Sequence, residues 1–518
     1  MKRIAWWEWV LVATLVALGF FLRAHDITAF KLSPDDGQYM NSARLQFLER
    51  SADPVQWFEE DAAWFGELSE DWGHLSGVAK TYQHSYLHQF LFRYLYRLGL
   101  SCVEALRLNV AWIGALTVFA LFALYAWNFP WRRRAGLFAA ALLSVLLVHV
   151  FLSRTGWGEV GSTFCFVVYV ALGWRLLAST DERDTRALWK LGLGLALAST
   201  LGMGFHEITS VYVVGMCAMA CASPWWRGDA ERGVGVVLRS RRVWAVLLSS
   251  IPVGAYTLAL RLWSDYANEK WFASTLYKDL SWGQVRVLTF RRFWETDHLL
   301  GQVSMPLLVL AIVGAVALRQ RDRVWFRYAI TWSALTSLVF LVAFNDPSLV
   351  RIYLPTIVLA CWLAGEGLVA LGAWIAPRAA AWVAGAAGAA VVLWLGLVTW
   401  TTLFGSEDDA LFESGVYVNV KNSRNVDEPW LEYLEDHRVT AQIGVYPTKD
   451  PLFVALDAGF TGRLFSFEEP QSTWTDHLLA ANNIMQREGR RMEDGGRYRL
   501  VAQDKVGRIG LYALQPAQ

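Results

Sequence analysis

Charge is scarce in this sequence. Asp, Glu, Lys and Arg make up 18% of its 518 residues, against about 25% in an ordinary soluble domain. The two signs nearly cancel, leaving a formal net charge of +1, which excludes a polycationic nucleic-acid binder. Cysteine is scarce too. Cys102, Cys165, Cys217, Cys221 and Cys361 have no paired spacing, which excludes a disulfide framework or a cysteine zinc site. Each lies in or beside an apolar run and reads as a small buried side chain. No small-x-small cleavage site follows the apolar run from Met1-Lys2-Arg3 to Phe21. That excludes a cleaved signal peptide and leaves a first span with its basic end in the cytoplasm. Internal repeats and low-complexity linkers are absent as well.

What the chain has is apolar length, with 55% hydrophobic residues. A bilayer core of ~30 Å takes about 20 apolar residues per helix. Runs of that order predict about eleven spans, near 5–22, 103–128, 135–152, 158–178, 188–205, 207–223, 243–262, 299–318, 328–344, 350–372 and 380–403. Alternate links are basic: Lys2/Arg3, Arg132–Arg134, Arg183/Arg186/Lys190, Arg227/Arg232/Arg239/Arg241/Arg242, Arg319/Arg321/Arg323/Arg327 and Arg378. The intervening links carry few cations, chiefly Arg154 and Arg351. This alternation places the N-terminus inside and everything after 403 outside. Tryptophans near span ends, such as Trp6, Trp7, Trp131, Trp225 and Trp226, fit interfacial belts.

The expected fold is therefore an all-α polytopic membrane bundle over 1–403 with a small extracytoplasmic α/β domain over 404–518. In the first outer loop, 23–100, an acidic middle precedes an amphipathic stretch (Tyr86, Leu87, Phe90, Leu91, Tyr94, Leu95, Leu98). Its spacing predicts a helix lying in the interface. A second outer segment, 263–298, mixes aromatics with Lys270, Lys278, Arg286, Arg291 and Arg292. In the tail, strands are expected at 439–445, 462–467, 498–503 and 508–514, the last two flanking a hairpin turn. Helices are expected at 428–437 and 474–488.

Ionisable side chains are costly within a bilayer, so their positions carry information. The outer ends gather Asp26, Asp35, Asp36, Arg154, Glu159, His206, Glu207, Asp346 and Arg351 from separate turns, which predicts one outward-facing polar cavity. Asp35-Asp36 follows Pro34; adjacent carboxylates separate in proton affinity, so one serves as a base, although such a turn equally caps a helix. Glu159 opens a span, where a helix N-terminus favours a carboxylate. His206-Glu207 sits in a tight turn suited to a polar substrate contact or to plain solvation. Arg351 and Tyr353 enter a late span; arginine forks onto phosphate, or snorkels as an interfacial anchor.

Taken in order, these pieces resemble the GT-C superfamily of membrane glycosyltransferases, including protein O-mannosyltransferases and the aminoarabinose transferase of lipid A modification. Carrying the likeness are Asp35-Asp36 after the first span, Ala105–Leu108 entering the second, Ser153-Arg154-Thr155 with Glu159, and Arg351-Ile352-Tyr353-Leu354-Pro355. The likeness is best over the first 180 residues or so. The acidic pair is Asp-Asp where several relatives have Asp-Glu, and Tyr82–Tyr86 replaces their histidine-proline pair.

The resemblance implies a polyprenyl-phosphate sugar donor, a lipid, glycan or protein acceptor, and inversion at the anomeric carbon. It implies Asp36 or Asp35 as base and Glu159 orienting the acceptor. Asp36 and Glu159 together leave room for a divalent ion, Mg or Mn. Arg351 and Tyr353 would hold the donor phosphate, with Arg154, Lys270 and Lys278 as further phosphate contacts. It also implies a bacterial inner membrane. Rival readings are an oligosaccharide ligase or polymerase with a lipid-pyrophosphate donor, a transporter, for which paired halves are missing, and a non-enzymatic assembly protein.

Overall fold

A computed structural model describes residues 4–25, 27, 102–179, 181–206, 208–227, 233–263, 305–343 and 354–404. It also describes some positions between 87 and 100, Tyr433, and five strands between 442 and 514. The chain divides into two compact units. One comprises Met1–His25, Val110–Arg154 and Gly158–Val418; the other comprises Asp26–Asn109, Thr155–Trp157 and Asn419–Gln518.

Among its described residues the regular structure of the first unit is helical. In chain order its helices are α1 Trp6–Ala24, α2 Cys102–Asn128 (whose first turns group with the second unit), α3 Arg133–Val145, α4 Leu147–Leu152, α5 Glu159–Trp174, α6 Thr185–Phe205, α7 Thr209–Cys221 and α8 Ser223–Arg227. They continue as α9 Val234–Arg239, α10 Arg241–Ser249, α11 Ile251–Trp263, α12 Met305–Arg321, α13 Arg323–Ala343, α14 Leu354–Ile375 and α15 Ala380–Phe404. Among the described residues, six stretches are long and apolar enough to cross a bilayer: Trp6–Ala24, Glu104–Asn128, Glu159–Ala178, Thr185–Phe205, Leu354–Ile375 and Pro377–Phe404. The chain is an integral membrane protein of the polytopic helical class.

Two of the expected spans are broken. Over 241–263 the helix restarts at Ile251, because Pro252 has no N–H to return to the preceding turn. Over 133–152 the break falls at Leu146, whose backbone is extended, with no proline nearby. A break of this kind strands the last carbonyls of α3, and an apolar medium offers them no water. The protein supplies donors instead. Arg23 reaches from α1 to the carbonyls of Ser144 (3.1 Å) and Leu143 (3.3 Å). The Thr399 hydroxyl of α15 donates to Val145 O at 2.6 Å. Arg23 also donates to His149 Nδ1 at 2.7 Å. Because a guanidinium only donates, that nitrogen is the acceptor and the ring proton sits on Nε2. Arg23 and His149 are both fully buried, and neither drew notice as a sequence feature.

Helix packing depends on small residues. A Cβ at Gly314 of α12 would collide with the Leu363 carbonyl of α14, and one at Gly367 would collide with the Leu310 carbonyl of α12. These two helices touch backbone to backbone, the close approach that glycine permits in membrane bundles. An aromatic core fills the same unit: Trp325 packs on Phe129 (4.0 Å between centroids), Trp362 (4.2 Å) and Trp174 (4.4 Å). Trp6, Trp7, Trp131 and Trp225 are exposed as interfacial residues should be. Trp226 is not a belt residue: it is buried against Trp174 and Tyr328, and its indole N–H donates to Met219 O at 2.9 Å. Cys165 and Cys361 are buried as expected, whereas Cys221 is exposed.

The second unit contains a five-stranded mixed sheet in the order β2-β1-β3-β5-β4, built from β1 Gln442–Tyr446, β2 Arg463–Ser466, β3 His477–Ala481, β4 Tyr498–Gln503 and β5 Ile509–Leu514. β1 pairs in parallel with β2 and β3; β3 and β4 flank β5 antiparallel. Four strands fall where the alternation predicts them. The fifth corrects a helix expected at 474–488: His477–Ala481 is the strand that joins the parallel and antiparallel halves. Tertiary pairing overrides the local pattern there. Of the helix expected at 428–437, only Tyr433 is described, and it is helical.

In the first-loop part of this unit, Leu87, His88, Leu91, Phe92 and Leu95 are helical. Among the described residues of this stretch His88 and Phe92 are buried and Leu98 is exposed; Tyr86, Phe90 and Tyr94 lie outside the described residues. Asn109 donates to His88 Nδ1 (2.9 Å), and His88 Nε2 donates to Gly156 O (2.6 Å). Arg107 donates to Ile27 O at 2.6 Å.

Replacing Gly314 or Gly367 by leucine forces α12 and α14 apart. Overpacking of this kind costs about 1–3 kcal/mol or more, so thermal unfolding in detergent is expected several degrees below wild type. Gly385→Ala has open space around it and is expected to unfold with wild type.

Candidate active site

The helices of the first unit alternate in direction, which sorts its charged residues to two ends. At one end Arg133 pairs with Glu8 (3.0 Å), and Arg132 bridges Glu366 (3.3 Å) and Asp322 (3.6 Å). At the same end Arg227 and Arg242 donate to Leu177 O, and Arg327 donates to Trp226 O. These are the arginines of the basic links, and several of them close helix C-termini, where cations are favoured. The other end holds the termini of α1, α4, α6 and α15 and the start of α5, with His25, Arg154, Glu159, His206 and Phe404.

Arg154 follows α4 and is buried. Its Nη1 donates to Leu22 O (2.9 Å) and His25 O (2.7 Å), with Arg23 O at 3.5 Å, so it closes the C-terminus of α1. Its guanidinium also stacks 4.9 Å from the Phe404 ring. Phe21, His25, Trp400 and Phe404 form one aromatic stack there, with His25 5.1 Å from Phe404 and 5.9 Å from Trp400. Arg154 thus fixes the C-terminal end of α1.

Glu159 begins α5 and is 2% exposed. Burying a carboxylate is costly without a partner. His206, at the C-terminus of α6, places Nε2 3.4 Å from Glu159 Oε1. The Ile208 N–H donates to His206 Nδ1 at 3.1 Å, which assigns the ring proton to Nε2, facing the carboxylate. Ser162 and Thr163 hydroxyls donate to the Glu159 carbonyl at 3.0 and 2.8 Å, so the first turn of α5 is held from within. Phe205 lies against Gly161, where a Cβ would strike its ring, and this contact seats the end of α6 on the start of α5.

Sequence reasoning placed Arg154, Glu159 and His206 at one outer mouth, and the structure brings Glu159 and His206 into contact. Asp35, Asp36, Glu207, Lys270, Lys278, Arg351 and Tyr353 lie outside the described residues. Among the described residues no three metal-ligating side chains converge. Both ring nitrogens of His206 are engaged, Nδ1 by the Ile208 N–H and Nε2 by Glu159, so Glu159 is the one metal-ligating group that this contact offers. Polar residues that went unnoticed are Arg23, His149 and His88; an ionisable side chain inside or bordering an apolar run was the available signal.

No family model matches the chain, and no curated protein matches it. Among solved structures it is similar to ArnT from Cupriavidus metallidurans bound to undecaprenyl phosphate, with 14% identity, a TM-score of 0.54 and 98% of each chain covered. It is likewise similar to the apo form of that protein, with 15% identity, a TM-score of 0.53, and 98% and 97% of the two chains covered. The chain shares the fold of that protein along essentially its whole length.

Arg154→Leu removes the donor that closes α1 and leaves buried carbonyls unmet, at about 1–3 kcal/mol each. A clear fall in thermal unfolding midpoint is expected, with partial recovery in Arg154→Lys; thermal-shift fluorescence of the purified protein measures it. A residue that only contacted ligand would leave the midpoint of the ligand-free protein unchanged.

Proposed function

We propose that the chain is an inverting glycosyltransferase that moves a single sugar from a polyprenyl-phosphate donor to a lipid, glycan or protein acceptor at the outer face of the membrane. One observation carries the reading: a GT-C fold matching ArnT over 98% of both chains, ArnT having been crystallised with undecaprenyl phosphate, in a chain whose buried Glu159–His206 pair stands at the end opposite the arginine cluster. The membrane is proposed to be a bacterial inner membrane, with the N-terminus cytoplasmic and residues 404–518 an extracytoplasmic domain.

The reaction is a single displacement. The acceptor O–H or N–H attacks the anomeric carbon, its proton passes to a carboxylate, and the bond from that carbon to the phosphate oxygen breaks. The lipid phosphate leaves with the electron pair. Asp36 or Asp35 is the base in this reading. Glu159, held by the Nε2–H of His206, orients the acceptor; Glu207 is a further polar contact. The sugar passes through an oxocarbenium-like state. Arg351 and Tyr353 take the phosphate charge that develops, with Lys270 and Lys278 as further contacts. Arg154, committed to the end of α1, acts by positioning the loop that leads to Asp35. Asp36 and Glu159 would hold a divalent ion, Mg or Mn, which would supply positive charge against the phosphate.

The test is transfer by purified protein from labelled polyprenyl-phosphate sugars. Asp36→Asn and Glu159→Gln are each expected to lower turnover by ~100-fold or more at unchanged thermal stability. Full activity in both would remove the site. Products carrying more than one sugar per event, or activity only with lipid pyrophosphates, would favour the ligase reading. Loss of transfer with chelator, restored by Mg or Mn, would establish the ion.

A further inference from the structure

At the end of the first unit opposite Glu159, a cavity of about 880 Å³ opens between the starts of α1 and α3, the α12–α13 turn and α14. Arg132, Arg133, Arg134 and Arg321 line it with Glu8 and Glu366. The ion pairs there are unevenly shared. Glu8 pairs with Arg133, while Glu366 and Asp322 both pair with Arg132. Three carboxylates are thus taken up by two arginines. Arg134 and Arg321 are exposed and have no ion pair among the described residues, so the cavity keeps a net positive charge.

Two features add to that charge. The 13-residue helix α3 starts in this cavity with Ala135 in the wall. No side chain caps its N-terminus, so its first amides and its dipole favour an anion. The wall also includes Trp7 and Trp131, both exposed. Exposed tryptophans at the ends of apolar helices mark the depth of lipid headgroups. A cationic cavity at that depth, with indole on its rim, suits a phosphate that carries acyl chains; a freely soluble phosphate has no use for the aromatic rim.

We propose that this cavity is a binding site for the phosphate headgroup of an anionic phospholipid, held by Arg134 and Arg321 with the N-terminal amides of α3, its acyl chains lying against the tryptophan rim. The site is separate from the proposed transferase site and stands whether or not that reading holds.

The experiment uses the full chain in nanodiscs of phosphatidylcholine doped with phosphatidylglycerol, reading retained lipid by native mass spectrometry. Wild type is expected to retain phosphatidylglycerol selectively. Arg134→Gln/Arg321→Gln is expected to lose that retention by roughly tenfold, and Arg134→Lys/Arg321→Lys to keep most of it. Arg239→Gln/Arg241→Gln, which removes two arginines at the same end outside the cavity, is expected to retain lipid as wild type does. Equal loss in that control would show a diffuse basic belt and overturn the site, as would unchanged retention in the first pair. Displacement of the lipid by inorganic phosphate would show that the ligand is a soluble anion and overturn the lipid assignment. Both arginines of the first pair are exposed, so thermal unfolding of that variant is expected to match wild type.

Discussion

A peptide group surrounded by hydrocarbon has no water to bond, and this constraint shapes the first unit. Where a helix runs unbroken, the backbone meets the requirement by itself. Where α3 stops at Val145 and α4 resumes at Leu147, three carbonyls need outside donors, and Arg23 and Thr399 provide them. Burying a guanidinium is costly; Arg23 offsets that cost by satisfying carbonyls of two helices and a histidine. The same logic extends to Arg154, which closes α1. The break between α3 and α4 is held by an arginine and a hydroxyl that act as backbone donors, and the transferase reading depends on the geometry they fix.

This gives the two ends of the bundle different characters. At one end arginines pair with carboxylates in a wide polar cavity or finish helices. At the other, among the described residues, Glu159 is buried at a helix start with a histidine whose Nε2 proton faces it. The Nε2–H of His206 helps to hold that carboxylate in one orientation. The close contact of α12 with α14 through Gly314 and Gly367, and the tryptophan core around Trp325, stiffen the same unit.

Much of this was legible in the residues. The apolar runs located the long helices among the described residues, because length and hydropathy decide span position with little help from tertiary contacts. The charge alternation sorted Arg132 and Arg154 to opposite ends for the same reason. The breaks at Leu146 and Ser250 were not legible as breaks: Pro252 signals one of them, but Leu146 is an ordinary residue whose extended backbone depends on Arg23 arriving from a distant helix. The strand at His477–Ala481 was missed because its pairing with β1 and β5 lies outside any local pattern. Trp226 was assigned to the interface since sequence spacing cannot tell a belt indole from one turned inward onto Trp174. For the site, the sequence placed Glu159 and His206 on one side, but neither their contact nor the tautomer was legible, since these depend on how α5 meets α6 and on the Ile208 amide.

The central claim is that polar side chains from separate turns face water together at one end of the bundle, opposite the Arg132 cluster. The most direct measurement is thiol labelling of intact membranes with an impermeant reagent, in a variant with the native cysteines replaced. Single cysteines at Asp36, Glu207 and Tyr353 are expected to react from one side, and a cysteine at Arg134 only from the other. Labelling of Asp36 and Glu207 positions from opposite sides would contradict the account.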